Sequence, residues 1–194
     1  MPHALSSVLS ALAIALPGAV LAAPLMLSPA DPQPQAGDLS PGLAVSYAYP
    51  SDLRTLADAS AAIEKSGRAG PPLAALDYED NSEGDLTLTA RTSQKVAASI
   101  SGFIRFDAPG IYSINLISND GIQAQIGGQQ VALYDDIHAC EPAGAQEVSV
   151  PQPGWYTLEA TYFQRKGTAC LIMEWQPEGG TVSVVPATAF AHQP

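Results

Sequence analysis

The stretch "GIYSINLISNDGIQAQIGG", residues 110 to 128, alternates apolar and polar residues on both sides of a polar break. Tyr112, Ile114 and Leu116 fall on one face and Ser113 and Asn115 on the other. That period of two defines a half-buried strand. The break itself, Ser118 to Gly121, is turn chemistry: Asn and Asp tolerate left-handed backbone angles, and Gly takes them at no steric cost. The shortest reading is strand, tight turn, strand, as in a β-hairpin or an Asx turn. Gly127 and Gly128 then read as the next hairpin turn. No Lys-Ser/Thr pair or helix start follows them, so they do not form a phosphate loop.

The same period runs outward from this stretch. From Leu86 on, turn residues recur at intervals of about 8 to 12 residues, the all-β signature. "SGFIRFDAPG" (101–110) gives a strand and a turn at Asp107 to Gly110. "WYTLEATYF" (155–163) sends Tyr156, Leu158, Ala160 and Tyr162 inward. "ACLIMEW" (169–175) sets Ala169, Leu171, Met173 and Trp175 on one face and Cys170, Ile172 and Glu174 on the other. Such faces need a second sheet to cover them, so the expected architecture is a β-sandwich.

The N-terminal part differs. "ALSSVLSALAIALPGAVLAA" (4–23) has no charge, breaks at Pro17 and Gly18, and ends in small residues. This is the pattern of a secretory signal peptide over residues 1–23, so the expected location is periplasmic or secreted, with no membrane insertion after cleavage. Residues 24–41 hold five prolines and no periodicity, which predicts a linker or loosely ordered Pro-rich arm. Residues 42–194 are the domain. Within it, 51–67 predicts one short helix near the N-terminal side: Ser51 as cap, Leu53, Leu56, Ala57 and Ile63 as the stripe, Gly67 as the end. Residues 68–85, with Pro71, Pro72 and an acidic run, read as a surface loop.

A chain of 194 residues with 46% hydrophobic residues fits one sizeable core. The net charge of −11 repels a phosphate backbone, and Arg165 with Lys166 is the sole adjacent basic pair, so nucleic acid is excluded as a partner class. Two cysteines in an exported chain, Cys140 and Cys170, most simply pair with each other, which stabilises by roughly 3 to 4 kcal/mol in the chain-entropy model. With Cys170 on the outer face of its sheet, the loop holding Cys140 must cross that face, with the two Cα atoms within about 7 Å. "YDDIHACE" (134–141) offers Asp135, Asp136 and His138 as metal ligands, but zinc takes a third or fourth strong ligand at matched spacing. Catalysis finds no Gly-x-Ser-x-Gly elbow, and the histidines are His3, His138 and His192 alone. The chain reads as a non-enzyme.

The order of the pieces is distinctive: "GLAVSYAY" (42–49), "SGFIRFDAPGIYSINLISNDGIQAQIGGQQVALYDDIHA" (101–139), "PGWYTLEATYFQRKGTACLIMEW" (153–175) and "VVPATAF" (184–190). From Gly42 to Phe190 it resembles the PA-14 domain, the β-sandwich family named after the anthrax protective antigen. That family has a Gly-Leu-x-x-x-Tyr opening, a Gly-x-Tyr-x-Phe strand, an Asp-Asp-Gly turn, an Asp-x-x-His segment, and a strand ending in Tyr-Phe that leads to Leu-x-x-x-Trp. The resemblance implies an exported carbohydrate-binding or adhesion module. In the lectin-like members the Asp-Asp turn adopts a cis peptide, and its carboxylates bind a calcium ion that chelates sugar hydroxyls. The matching positions are Asn119 and Asp120, the implied metal residues, and the loop Gln164 to Thr168 matches the one that completes the site. The implied ligand residues are therefore Asn119, Asp120, Gln164 and Arg165, and the implied cofactor is calcium. In the same family pattern, the Asp and His of "YDDIHACE" are structural, holding turn backbone.

Elementary chemistry bears on that carry-over. Calcium takes about six to eight hard oxygens and gains affinity with ligand charge. Asn119 offers an amide oxygen in place of a carboxylate, while Arg165 and Lys166 set two cations beside the ion. Three readings of "SNDG" stand: an ordinary turn, a calcium-dependent sugar site, and a site for another ligand. At the level of the whole chain two stand: a module whose partner is a glycan, and a structural or interaction module whose partner is an envelope protein, with the Pro-rich arm as tether.

Overall fold

The computed structural model describes residues 23–194. The signal peptide expected over 1–23 lies, apart from Ala23, outside the described residues. In chain order the elements are β1 (Leu25–Met26), β2 (Ser40–Pro41), β3 (Ala44–Ala48), α1 (Leu56–Ser66), β4 (Arg68–Ala69), β5 (Asp77–Tyr78), β6 (Val96–Phe106), β7 (Gly110–Ser118) and β8 (Ile122–Ile126). They continue with β9 (Gln129–Tyr134), β10 (Glu141–Pro142), β11 (Gln146–Val150), β12 (Gly154–Gln164), β13 (Leu171–Pro177), β14 (Ser183–Val184) and β15 (Phe190–His192).

These strands form two sheets, as the alternating faces require. One has the order β1-β11-β7-β13-β14, with β10 on β7 and β5 on β13. The other has the order β2-β15-β6-β12-β8-β9, with β3 on β6 and β4 on β3. Tyr112, Ile114 and Leu116 from the first sheet meet Ile104, Tyr156, Leu158 and Tyr162 from the second, and all are buried. Leu171 and Met173 are buried as expected, and Trp175 is half-buried, stacked beside Phe106 and Tyr112 at ring distances of 5.7 and 6.0 Å. The fold is the expected all-β sandwich with one α-helix among the described residues.

The longest pairing is β6 with β12, antiparallel over their full lengths from Gly154↔Phe106 to Gln164↔Val96. It fixes where β12 ends, and so where the loop after Gln164 begins. The disulfide forms between Cys140 and Cys170 with the Cα atoms 5.9 Å apart, inside the expected limit. Gly127 and Gly128, at φ 53° and 78°, make the tight β8–β9 turn; two positive φ angles suit the twist of a two-residue hairpin.

Three sequence expectations need correction. The quoted stretch is not a hairpin: β7 lies in the first sheet and β8 in the second, so "SNDG" carries the chain across the core. Alternation reveals which residues face inward and is silent on which strand pairs with which. The Pro-rich segment is not a loose linker either. Leu25 and Met26 pair in parallel with Val148 and Ser149, Leu27 is 1% exposed, and Ala30 N–H donates to Trp155 O at 2.9 Å. Gln33 exchanges two bonds with the Trp155 backbone, accepting its N–H at 2.8 Å and donating to its carbonyl at 2.9 Å, so a side chain substitutes for a strand partner where proline removes donors. The helix starts later than Ser51. Thr55 caps it in a reciprocal capping box with Asp58, and the buried stripe is Leu56 and Ala59, not Ala57. Leu53 packs under it from the preceding turn, against Ala48, Ala97 and Phe163.

Since Leu27 is buried in the main core, Leu27→Ala is expected to cost about 2 to 5 kcal/mol in urea-unfolding free energy. A loose arm would lose nothing measurable.

Candidate functional site

The crossing turn is tied to both sheets. Asn119 N–H donates to Cys170 O at 3.2 Å, at the head of β13 in the first sheet. Two residues later Gly121 O accepts from Phe163 N–H at 3.0 Å, in β12 of the second. Between them Asp120 sits at φ 60°, the left-handed conformation that Asp tolerates better than most residues. A Cβ on Gly121 would lie 2.2 Å from the Phe163 ring, so only glycine lets the ring close under the turn. The Asn119–Asp120 peptide is trans, where the resemblance implied cis.

Asp120 is 1% exposed and anchors three neighbours. Its Oδ2 accepts from Arg165 N–H at 2.6 Å, its carbonyl accepts from Ser118 Oγ at 2.9 Å and bonds His138 Nε2 at 2.8 Å, and its N–H donates to His138 O at 3.1 Å. Burial pushes the Asp120 carboxyl above its ordinary range, with the Arg165 N–H pulling the other way. Asn119 Nδ2 donates to Thr168 Oγ1 at 3.3 Å. The structure thus brings Asn119, Asp120, Gln164 and Arg165 to one end of the sandwich. Arg165 stands among them with its buried Nε lacking a protein partner.

The loop after β12 is organised by Gln164. This residue is fully buried, and its Nε2 donates to Lys166 O at 2.8 Å and to Thr168 O at 2.5 Å. Its Oε1 accepts from Tyr162 Oη at 3.3 Å. Of the two ends of the Gln164 carboxamide, only the NH2 can answer two carbonyl acceptors.

The second motif divides rather than converges. Asp135 Oδ1 accepts from Leu56 N–H at 2.6 Å and so supports the first turn of α1, while Asp136 bonds its own loop at Ile137 N–H. His138 stacks on Tyr134 with ring centres 3.8 Å apart and locks Asp120. Among the described residues, no three His, Cys, Asp or Glu side chains gather in a metal-binding group. For the implied calcium, the oxygen set falls short of a full shell. Asp120 supplies the one carboxylate of the turn and loop, one of its oxygens is held by an N–H, and the loop carbonyls face an amide. The residues present do not fit the ion.

Sequence reasoning missed the part played by Gln164, because a buried Gln at a strand end has no signature until the loop carbonyls are placed. It also missed a groove of about 590 Å³ on the edge of the second sheet, lined by Leu39, Pro41, Pro72, Trp155, Thr188 and Phe190 among others. Its lining comes from five separate segments, Arg105 of β6 among them.

No protein-family model and no curated protein matches the chain. Solved structures do. The PA14 domain of the MpAFP antifreeze protein superposes with a TM-score of 0.67 at 15% identity, over 85% of this chain and 96% of that one. The fold is that of the PA14 domain. A PA14 sugar-binding domain from an RTX adhesin gives a TM-score of 0.62 at 20% identity, covering 78% and 98%. The epithelial adhesin 9 A domain from Candida glabrata, solved with Galβ1-3GlcNAc, gives 0.64 at 12% identity, covering 88% and 96%. At these identities the likeness is one of fold, and within this PA14 fold the Asp120 turn joins the two sheets.

Asp120 provides a pH test of that turn. A buried carboxyl with a raised folded pKa favours the folded state below the ordinary Asp value of about 3.9, and the advantage is lost as pH rises through the folded value. The stability of the wild type relative to Asp120→Asn is therefore expected to fall as pH rises above the ordinary Asp value in urea unfolding. A difference that stays flat or grows with pH contradicts the burial argument.

Proposed function

We propose that the chain is an exported, non-catalytic carbohydrate-binding module of the adhesion type. Its sugar site lies where the Asn119–Asp120 turn meets the Gln164–Thr168 loop. The supporting observation is the convergence of these segments, through the Asp120 to Arg165 bond, at one end of a PA14 fold. Solved domains of that fold include a sugar-binding adhesin domain and an adhesin complexed with a galactoside.

The chemistry of the rim suits hydroxyl-rich ligands. Asn119 uses its NH2 on Thr168 and leaves its oxygen for an incoming hydroxyl. Arg165 brings a guanidinium whose buried Nε has no protein partner, and Lys166 is exposed beside it. The Tyr134 and His138 ring pair, bonded to the turn through His138, offers an apolar face for a sugar ring. Export agrees with the Cys140–Cys170 disulfide, which persists in oxidising compartments, periplasmic or extracellular.

On a glycan array the wild type is expected to retain at least one glycan class. Asn119→Ala combined with Arg165→Ala is expected to weaken that binding by about tenfold or more, about 1.4 kcal/mol, with little change in melting temperature. An array with no signal above background removes the proposal.

A second reading, a protein-interaction module of the envelope, is favoured by the apolar groove around Trp155 and Pro41. Capture of an envelope protein that Trp155→Ala abolishes, together with a silent array, would select it.

A further inference from the structure

The loop after β12, which the resemblance makes part of a calcium site, is held by an amide. We propose that the site is organised without calcium, the NH2 group of Gln164 standing in for the cation.

Gln164 is the last residue of β12, paired to Val96, and is 0% exposed. The chain beyond it bends so that two backbone carbonyls, Lys166 O and Thr168 O, point back at its Nε2 from 2.8 and 2.5 Å. Inward-pointing carbonyls require a positive partner, whether a cation or the hydrogens of a donor. Here the protein supplies the hydrogens, and Tyr162 Oη fixes the other end of the same carboxamide. The amide therefore has no freedom to turn its oxygen toward an ion without setting it against two carbonyls.

The opposite side of the rim is closed in the same way. Asp120 Oδ2 already receives Arg165 N–H, and Asn119, its NH2 on Thr168, offers a neutral amide oxygen where a carboxylate would raise ion affinity. An ion entering here would have to break the Gln164 and Arg165 N–H bonds beside the cationic Arg165 and Lys166 side chains. The gain for binding is that the loop is ordered beforehand, so a ligand does not bear the cost of ordering it.

The inference deepens the sugar-site reading but is tested without sugar. Thermal unfolding of the wild type is compared in excess chelator and in millimolar calcium, alongside terbium luminescence sensitised by the native Tyr and Trp residues. The expected result is an unchanged melting temperature and no terbium signal that calcium displaces. A saturable rise in melting temperature with calcium overturns the inference. Gln164→Glu replaces the donor by a carboxylate facing two carbonyls. It is expected to melt about 5 °C lower in chelator and to recover most of the loss with calcium. A Gln164→Glu protein as stable as the wild type in both conditions overturns the role given to the amide. If that variant does not fold, the wild-type comparison still decides the question of the ion. A calcium-dependent wild type leaves the sugar reading standing, and a silent glycan array leaves this inference standing, so the two failures are distinct.

Discussion

Three hydrogen bonds fix where the chain leaves one sheet and joins the other. Asn119 N–H is held by the first sheet at Cys170 O, Gly121 O is held by the second at Phe163 N–H, and the Asp120 carboxylate between them is held by Arg165 N–H. If that corner moved by one residue, every side chain of β8 would turn to the opposite face. Ile122, Ala124 and Ile126 would then leave the core. The corner also places Asp120 against the loop after β12, so the constraint that closes the sandwich builds the candidate site.

This dual use explains the chemistry of the turn. A buried carboxylate is costly unless hydrogen-bonded, and Asp120 meets that cost with a backbone N–H donated across the sandwich. Its backbone spends its remaining capacity on Ser118 and His138. The neighbouring disulfide fastens Cys170 to the segment that carries His138, so the bonds at Asn119, Asp120 and Gly121 lie within one cross-linked unit. A rigid frame carrying a few polar groups at its edge is what a binding site for hydroxyl-rich ligands needs, since the groups are held in place before the ligand arrives.

Much of the fold was legible in the residues. The inward faces of β7, β12 and β13 followed from a period of two, and the PA14 fold was expected from the resemblance of the motifs in their order. What failed, failed for local reasons. Alternation in residues 110–128 is identical for a hairpin and for a change of sheet, so the pairing partner was invisible. β1 and β2 are two residues each, too short to show any period, and prolines around them masked a buried Leu27. The Thr55 to Asp58 capping box stands in the sequence as Thr-Leu-Ala-Asp, with Asp in place of the usual Glu or Gln, which makes Ser51 an equally plain cap by residue type. The resemblance singled out Asn119, Asp120, Gln164 and Arg165, which lie together at one end of the sandwich. The direction of the Gln164 amide was not legible, since it depends on where Lys166 and Thr168 turn their carbonyls.

In the proposed function, ligand contact centres on the corner between the sheets. Backbone amide shifts followed by NMR during titration with a glycan retained on an array, in the presence of chelator, test it most directly. Perturbations are expected to concentrate at Asn119 to Gly121 and at Gln164 to Thr168. Perturbations confined to the groove around Pro41, Trp155 and Phe190 would contradict it.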